Sequence, residues 1–328
     1  MKQLLIITNK QDLHADNVIR HLYKTKNLEL LRLNTEDLLT KYKFKFSIMD
    51  GNIEAYVQDG FGRKFDFNNN QCVWFRKPSL DFDLSGTNLK LEEAEFVKTE
   101  LKMVIETLYS LPNTKWVNDP NMARKSSHKY QQLCLVQRLG AKYPVRIPNT
   151  AITNSSRIAK ECFGGSGDLV AKAVYTGNIV LNGIKQGIET QKISNEQFCS
   201  NIDSIDISPT CLQNYIQKKF ELRIVVIGNK VFAVKIDSQI DERTKVDWRK
   251  HTALCPHTVF ILPKEIEAFC LEFIALQKLV YGSMDFIVTP AGEYVFLENN
   301  PYGQWLWLEN MTGIPLTKAF ADYFLSIC

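Results

Sequence analysis

The chain has 328 residues, more than one hydrophobic core usually serves, so two or three domains are expected. Hydrophobic residues make up 45% and charged residues 23%, the mix of an ordinary soluble globular protein. With 40 basic and 36 acidic residues the net charge is +4, too balanced to argue for nucleic acid or an anionic membrane as partner, although a local basic cleft for an anionic substrate is compatible with it.

The opening MKQLLIITNK has only four consecutive apolar residues before Thr8, too short for a signal peptide or a membrane span. None of the eight cysteines form a Cys-x-x-Cys pair, so neither zinc nor a redox dithiol is suggested, and scattered thiols fit a cytoplasmic location. Residues 4–8 read as a buried strand, 16–26 as a helix and 28–33 as a second strand, an opening that favours a parallel sheet. KFKFSI alternates at period two, and Asp50-Gly51-Asn52 turns it into IEAYV, so a hairpin follows. CVWF is a short strand leading into Arg76-Lys77-Pro78. Val97, Leu101, Val104, Ile105 and Leu108 fall on one helical face, bounded by Pro112.

NDPNMARKSSHKYQQLCLVQRLG reads as a loop and then a helix, with Ser126 or Ser127 as its cap and Gly140 as its stop. From there to residue 215 strands dominate: NTAITN, DLVAKAV, GNIVL and CLQNYI. FGGSGD at 163–168 is not a Walker motif, because it lacks the Gly-Lys-Ser/Thr ending and precedes a strand. ELRIVVIGNKVFAVKID is a hairpin turned at Gly228-Asn229, and PKEIEAFCLEFIALQKL is a core-facing helix with Pro263 in its first turn. SMDFIVTPAGEYVFLEN is a second hairpin, and a last amphipathic helix covers roughly 315–326. Trp305 and Trp307 read as core packing. The fold class is α/β (α+β) in three units, 1–118, 119–215 and 216–328.

The last hairpin carries the sharpest chemistry. Asp285 and Glu298 are 13 residues apart with the turn at 290–292 near the middle, so antiparallel pairing can bring them together. Glu298 and Asn300 differ by two and share a face. Three oxygen donors suit Mg²⁺, which takes one or two carboxylates and completes its shell with phosphate oxygens and water. The alternative is an unremarkable solvated sheet face, which the apolar neighbours Met284, Phe286 and VFL argue against. Lys172, inside the apolar strand LVAKAV, should meet an anion or reach water, whereas Lys129 alone reads as a surface residue. Arg223 could bind phosphoryl oxygens or could pair with Glu221, two residues away on the same face.

Asp…Glu-x-Asn across a C-terminal hairpin resembles the metal-binding core of the ATP-grasp enzymes. More narrowly, the chain resembles the ATP-grasp peptide maturases that macrocyclise graspetides, the microviridin-type ligases and their grasp-with-spasm relatives. The matching pieces are RLNTEDL at 32–38, VWFRKP at 73–78, NDP with SHKYQQL and IPNTAITN between 118 and 154, and LVAK at 169–172. LQNYIQKKFELRIVVIG at 212–228, DWR at 247–249, GSMDFIV at 282–288 and LENNPYGQWLWLE at 297–309 complete the set.

The resemblance implies an ATP-grasp fold: an N-terminal pre-ATP-grasp α/β domain, a small central α+β domain and a C-terminal metal-binding domain. It implies ATP and Mg²⁺ as cofactors. Lys129 and Lys172 would contact nucleotide phosphates, the backbone at Gln213, Asn214, Tyr215 and Ile216 would hold adenine, and Glu221 would reach the nucleotide. Arg223 and Arg249 would face the transferred phosphate, with Asp285, Glu298 and Asn300 on the metal. YTGNIVLNG at 175–183 would be the flap over ATP, or a plain hairpin turn. The implied reaction activates an Asp or Glu side chain of a ribosomally made precursor peptide as an acyl phosphate. A Ser/Thr hydroxyl or a Lys amine then closes an ester or amide ring. The implied partner is that peptide, leader plus core, with no nucleic acid and no membrane, and a homodimer by analogy. The competing readings are an ATP-grasp carboxylate–amine ligase joining two molecules, or a nucleotide-binding module without catalysis.

Overall fold

The computed structural model describes residues 2–24, 28–69, 71–110, 114–175, 178–181, 184–187 and 190–328, the side chains of 69, 178–181, 184–186 and 250 excepted. The strand-helix-strand opening is present as β1 (Lys2–Thr8), α1 (Leu13–Leu22) and β2 (Leu28–Asn34). The helix starts three residues earlier than expected, because the Asp12 side chain accepts a hydrogen bond from His14 N and caps it. The hairpin of β3 (Tyr42–Met49) and β4 (Asn52–Asp59) turns at Asp50-Gly51, both at positive φ, and extends to a short β5 (Lys64–Asp66). With β6 (Cys72–Phe75) and β7 (Lys115–Val117), β1 and β2 make a parallel sheet in the order β2-β1-β6-β7. Helix α2 (Leu91–Leu108) buries Leu101, Ile105 and Leu108 against Leu5, Ile7 and Leu33 on one face of that sheet. Pro112, expected to bound α2, lies outside the described residues.

The stretch expected as a loop at 118–128 contains a helix, α3 (Pro120–Ser126). Asp119 caps it by accepting from Asn121 N and Met122 N, and Pro120 fills the first turn, where no N–H is needed. Ser126 and Ser127 therefore do not cap the next helix, α4 (Lys129–Leu139); their hydroxyls donate back to Met122 O and Ala123 O. Beyond Gly140, β8 (Val145–Arg146) runs parallel to a strand near the other end of the chain.

The middle of the chain builds an antiparallel sheet from β9 (Thr150–Thr153), β10 (Leu169–Lys172), β13 (Gln191–Ile193) and β14 (Thr210–Asn214), in the order β13-β10-β14-β9. A separate hairpin, β11 (Asn178–Leu181) with β12 (Ile184–Gly187), occupies the proposed flap, whose residues 176–177 and 182–183 lie outside the described residues. Two helices go beyond the strand pattern read from sequence: α5 (Ser156–Phe163), capped by Ser155, and α6 (Asn195–Asn201), opened by a Ser194–Gln197 capping box. Phe163 and Phe198 pack with Leu169, Ile205 and Leu212 in a small core of their own.

The last sheet has the order β17-β16-β15-β18-β19-β8, with β15 (Phe220–Ile227), β16 (Lys230–Ile236), β17 (His257–Phe260), β18 (Tyr281–Val288) and β19 (Tyr294–Asn300). Helix α7 (Lys264–Leu276) sends Phe269 and Phe273 onto Phe286 and Phe296; Pro263 is its N-cap rather than its first turn. Leu133 and Val136 of α4 join the same core. After β19 come α8 (Leu306–Thr312), unforeseen in the sequence reading, and α9 (Leu316–Ile327). Phe320 and Phe324 of α9 pack on Trp74 of the first sheet, with Val225 and Tyr281 of the last sheet in the same cluster. Among the described residues no helix is long and apolar enough to cross a membrane.

Candidate active site

Strand β18 is buried along its whole length, which follows from its central place in the sheet. Its side chains alternate: Met284 and Phe286 enter the α7 core, and Asp285 points to the other face. Asp285 pairs in register with Glu298 of β19 and with Arg223 of β15, so one row across three strands carries acid, acid and guanidinium. The β18–β19 ladder is irregular at this point. Phe286 pairs with Phe296 and Asp285 with Glu298, which leaves Leu297 as the extra residue of a bulge. In a regular strand Glu298 would share the side of Phe296, inside the aromatic core; the bulge turns it to the side of Asp285.

The carboxylates are held by cations. Arg223 Nη1 donates to Asp285 Oδ1 at 2.6 Å and Arg249 Nη2 to Asp285 Oδ2 at 2.7 Å. Arg249 Nη2 also lies 3.5 Å from Glu298 Oε1, and Lys129 Nζ lies 3.5 Å from Glu298 Oε2. Burial works against the Asp285 carboxylate, but Arg223 and Arg249 outweigh it and hold the carboxyl below its ordinary range. Burial pushes the Lys172 ammonium down, with the Glu298 charge opposing. The pairing of Arg223 with Glu221 considered from sequence does not form: Glu221 accepts from Lys218 Nζ at 2.9 Å and from Ser238 Oγ at 2.8 Å. Burial raises the Glu221 carboxyl, and Lys218 opposes it.

These groups border one cleft between the middle and last sheets. Lys129, Lys172, Gln213, Asn214, Tyr215, Ile216, Glu221, Arg249, Asp285 and Glu298 all line it. Arg223 reaches it from behind, through Asp285. Asn300 is not in its lining; it stands exposed on the strand end, with Oδ1 accepting from Tyr302 N at 2.9 Å. Lys218, Asp247 and Trp248 are lining residues that sequence reasoning missed. Trp248 stands inside DWR, which offered a signal, whereas nothing local distinguishes Lys218 from Lys219. Trp305 is fully buried in the core as expected, whereas Trp307 is half-buried and packs on Trp248.

The donor set fits a hard cation. Two carboxylates face each other, whereas the third expected donor, the amide oxygen of Asn300, is engaged by Tyr302 N at the strand end and would have to turn to join them. Among the described residues no group of three His, Cys, Asp or Glu could hold a metal, so a cation here would lean on amide, phosphate and water oxygens as well.

The chain takes the fold of solved ATP-grasp ligases, and its residues 3–124 match the MvdD pre-ATP grasp domain family. Over its whole length it is similar to a solved Chryseobacterium gregarium RiPP-associated ATP-grasp ligase in complex with ADP and a leader and core peptide. That match has a TM-score of 0.89 and 28% identity, and it covers 100% of this chain and 98% of that one. It also takes the fold of two macrocyclases of Microcystis aeruginosa MRC. One is MdnC bound with precursor peptide MdnA (TM-score 0.81, 24% identity, 99% and 100% covered), and the other is MdnB (0.76, 23%, 99% and 99%). No curated relative matches the chain.

Proposed function

We propose that the protein is an ATP-dependent ligase that closes rings on a ribosomally made precursor peptide. The observation that carries this reading is the cleft in which two facing carboxylates, Arg249, Lys129 and Lys172 meet the 213–216 segment, with Arg223 behind Asp285. Among the described residues the Ile216 N–H makes no hydrogen bond, which leaves it for an adenine ring.

Asp285, Glu298 and Asn300 would hold Mg²⁺, which would offset the negative charge of the phosphates. Lys129 and Lys172 face the phosphates and neutralise them. An Asp or Glu side chain of the peptide attacks the γ-phosphorus, ADP leaves, and an acyl phosphate forms. Arg223 and Arg249 stabilise the charge that spreads over the transferred phosphoryl oxygens. A hydroxyl or amine of the same peptide then attacks the acyl carbon, loses its proton, and expels phosphate. Since both ends belong to one chain, the second step is effectively unimolecular. Closure of the middle sheet over the cleft keeps water from the acyl phosphate.

The leader docks on or beside the middle unit. We propose that the chain divides at 118 and 215, with α3, α4 and β8 of the middle unit packing on the last sheet. A homodimer, and a cytoplasmic location suited to eight free cysteines, are proposed likewise.

Incubation with ATP, Mg²⁺ and the peptide encoded beside this protein is the test. Mass loss in steps of one water, with ADP released, supports ring closure. Mass gain by an added amino acid refutes it in favour of joining two molecules, and absence of ATP consumption with each peptide offered refutes catalysis.

A further inference from the structure

Arg249 occupies the place where a divalent cation would sit. Its Nη2 lies 2.7 Å from Asp285 Oδ2 and 3.5 Å from Glu298 Oε1, so one guanidinium nitrogen bridges both acidic members of the proposed metal set. Arg223 also binds Asp285, but it is fixed on the central strand β15 with its side chain 11% exposed. Arg249 instead sits on a turn at 248–254 whose helical path is broken at His251, and its side chain is 49% exposed. It is the cation of the pair that can leave.

The wider charge balance points the same way. Among the described residues, Lys129, Lys172, Arg223 and Arg249 face three carboxylates, Asp247, Asp285 and Glu298, and Glu221 is already paired with Lys218. A bare divalent cation entering this positive cluster must evict a guanidinium and gains no other anion. A nucleotide brings phosphates that complement the excess and give the evicted guanidinium a new partner.

We propose that Arg249 is a stand-in counter-ion, which closes the acidic pair to free divalent cations and yields it only when the cation arrives with a polyphosphate. This rests on the reading of Asp285 and Glu298 as metal ligands. Arg249 then moves from carboxylate to phosphate, so metal and nucleotide bind with strong positive linkage. Neither binds well alone at the acidic pair, and the protein is not charged with metal in the absence of ATP.

The test is binding, without turnover. Free Mn²⁺ is followed by electron paramagnetic resonance against nucleotide-free protein, and ADP is titrated calorimetrically without metal. Arg249→Gln should bind Mn²⁺ about tenfold tighter than the native protein and metal-free ADP more weakly. Opposite signs separate this role from a merely structural one, since a loosened fold weakens both. Unchanged or weaker Mn²⁺ binding in Arg249→Gln overturns the proposal. Adding Asp285→Asn to Arg249→Gln should abolish the gain. If the double variant keeps the tighter binding, the metal assignment beneath the proposal fails, and the proposal with it.

Discussion

Leu297 and Gly303 show how single residues place the site. Leu297 is the bulged residue that turns Glu298 toward Asp285. The sequence offers the spacing of 13 and the turn near its middle, and those suffice to pair the acids. It offers no sign of the bulge, because Leu297 continues an ordinary apolar run. Gly303 reads as a strand stop, but its role is close approach: a Cβ there would lie 2.4 Å from Ser283 Cβ, next to the strand of Asp285. Gly303→Ala is expected to cost about 1–3 kcal/mol in urea unfolding, because neither backbone can give way cheaply. For Arg223, Arg223→Lys keeps the charge and loses the fork. We expect ring closure to slow by about 10²-fold, read as single-turnover ADP release, with ADP affinity little changed.

At the scale of elements, the long alternating and amphipathic segments are legible. Both hairpins of the last sheet, α2, α7 and α9 follow from period and turn chemistry. Helices α3, α5, α6 and α8 are seven or eight residues long, too short for their periodicity to stand out; only their caps, Asp119, Ser155 and Ser194, mark the starts of the first three. Strands β7 and β8 are two or three residues long and exist only through their neighbours.

One contact between elements has a pH signature. His14 of α1 accepts at Nε2 from Trp305 N and Leu306 N, where α8 begins, while Nδ1 faces Asp12 at 3.4 Å. Burial lowers the His14 pKa below 6.5, with Asp12 opposing. The folded state thus binds the proton less readily than the unfolded chain, so stability falls as pH drops through 6.5 and levels off below the folded value. Thermal unfolding between pH 7.5 and 5 should show this fall in the native protein, and His14→Gln, which keeps an acceptor and loses the titration, should flatten it. An equal slope in both would exclude His14 as the cause.

For the whole molecule, the cores are unevenly shared. The first and last sheets meet in one cluster through α1 and α9, whereas the middle sheet has a small cluster of its own. Amides of β9, β10, β13 and β14 should therefore exchange with deuterium before those of β15 and β18. ADP with Mg²⁺ bridges the middle and last sheets and should slow the middle ones most. At a hundredfold excess over the dissociation constant the ligand should stabilise the protein by about 2.7 kcal/mol, and Asp285→Asn should remove the Mg²⁺-dependent share. If the middle sheet exchanges last, the uneven division is wrong. The sequence shows the first and last sheets separately; their union through Trp74, Phe320 and Phe324 joins residues some 250 positions apart, which no local pattern can announce.

That union also sets a schedule for biosynthesis. The face of the opening sheet that carries Trp74 finds much of its cover in residues 316–327, which are translated long after it. Until α9 emerges, the nascent domain therefore holds a greasy flank that only α1 partly covers, open to chaperones and to sticking, however early its strands assemble. Ribosome-bound chains stopped before residue 316 should bind trigger-type chaperones along that flank, and chains that include α9 should let them go.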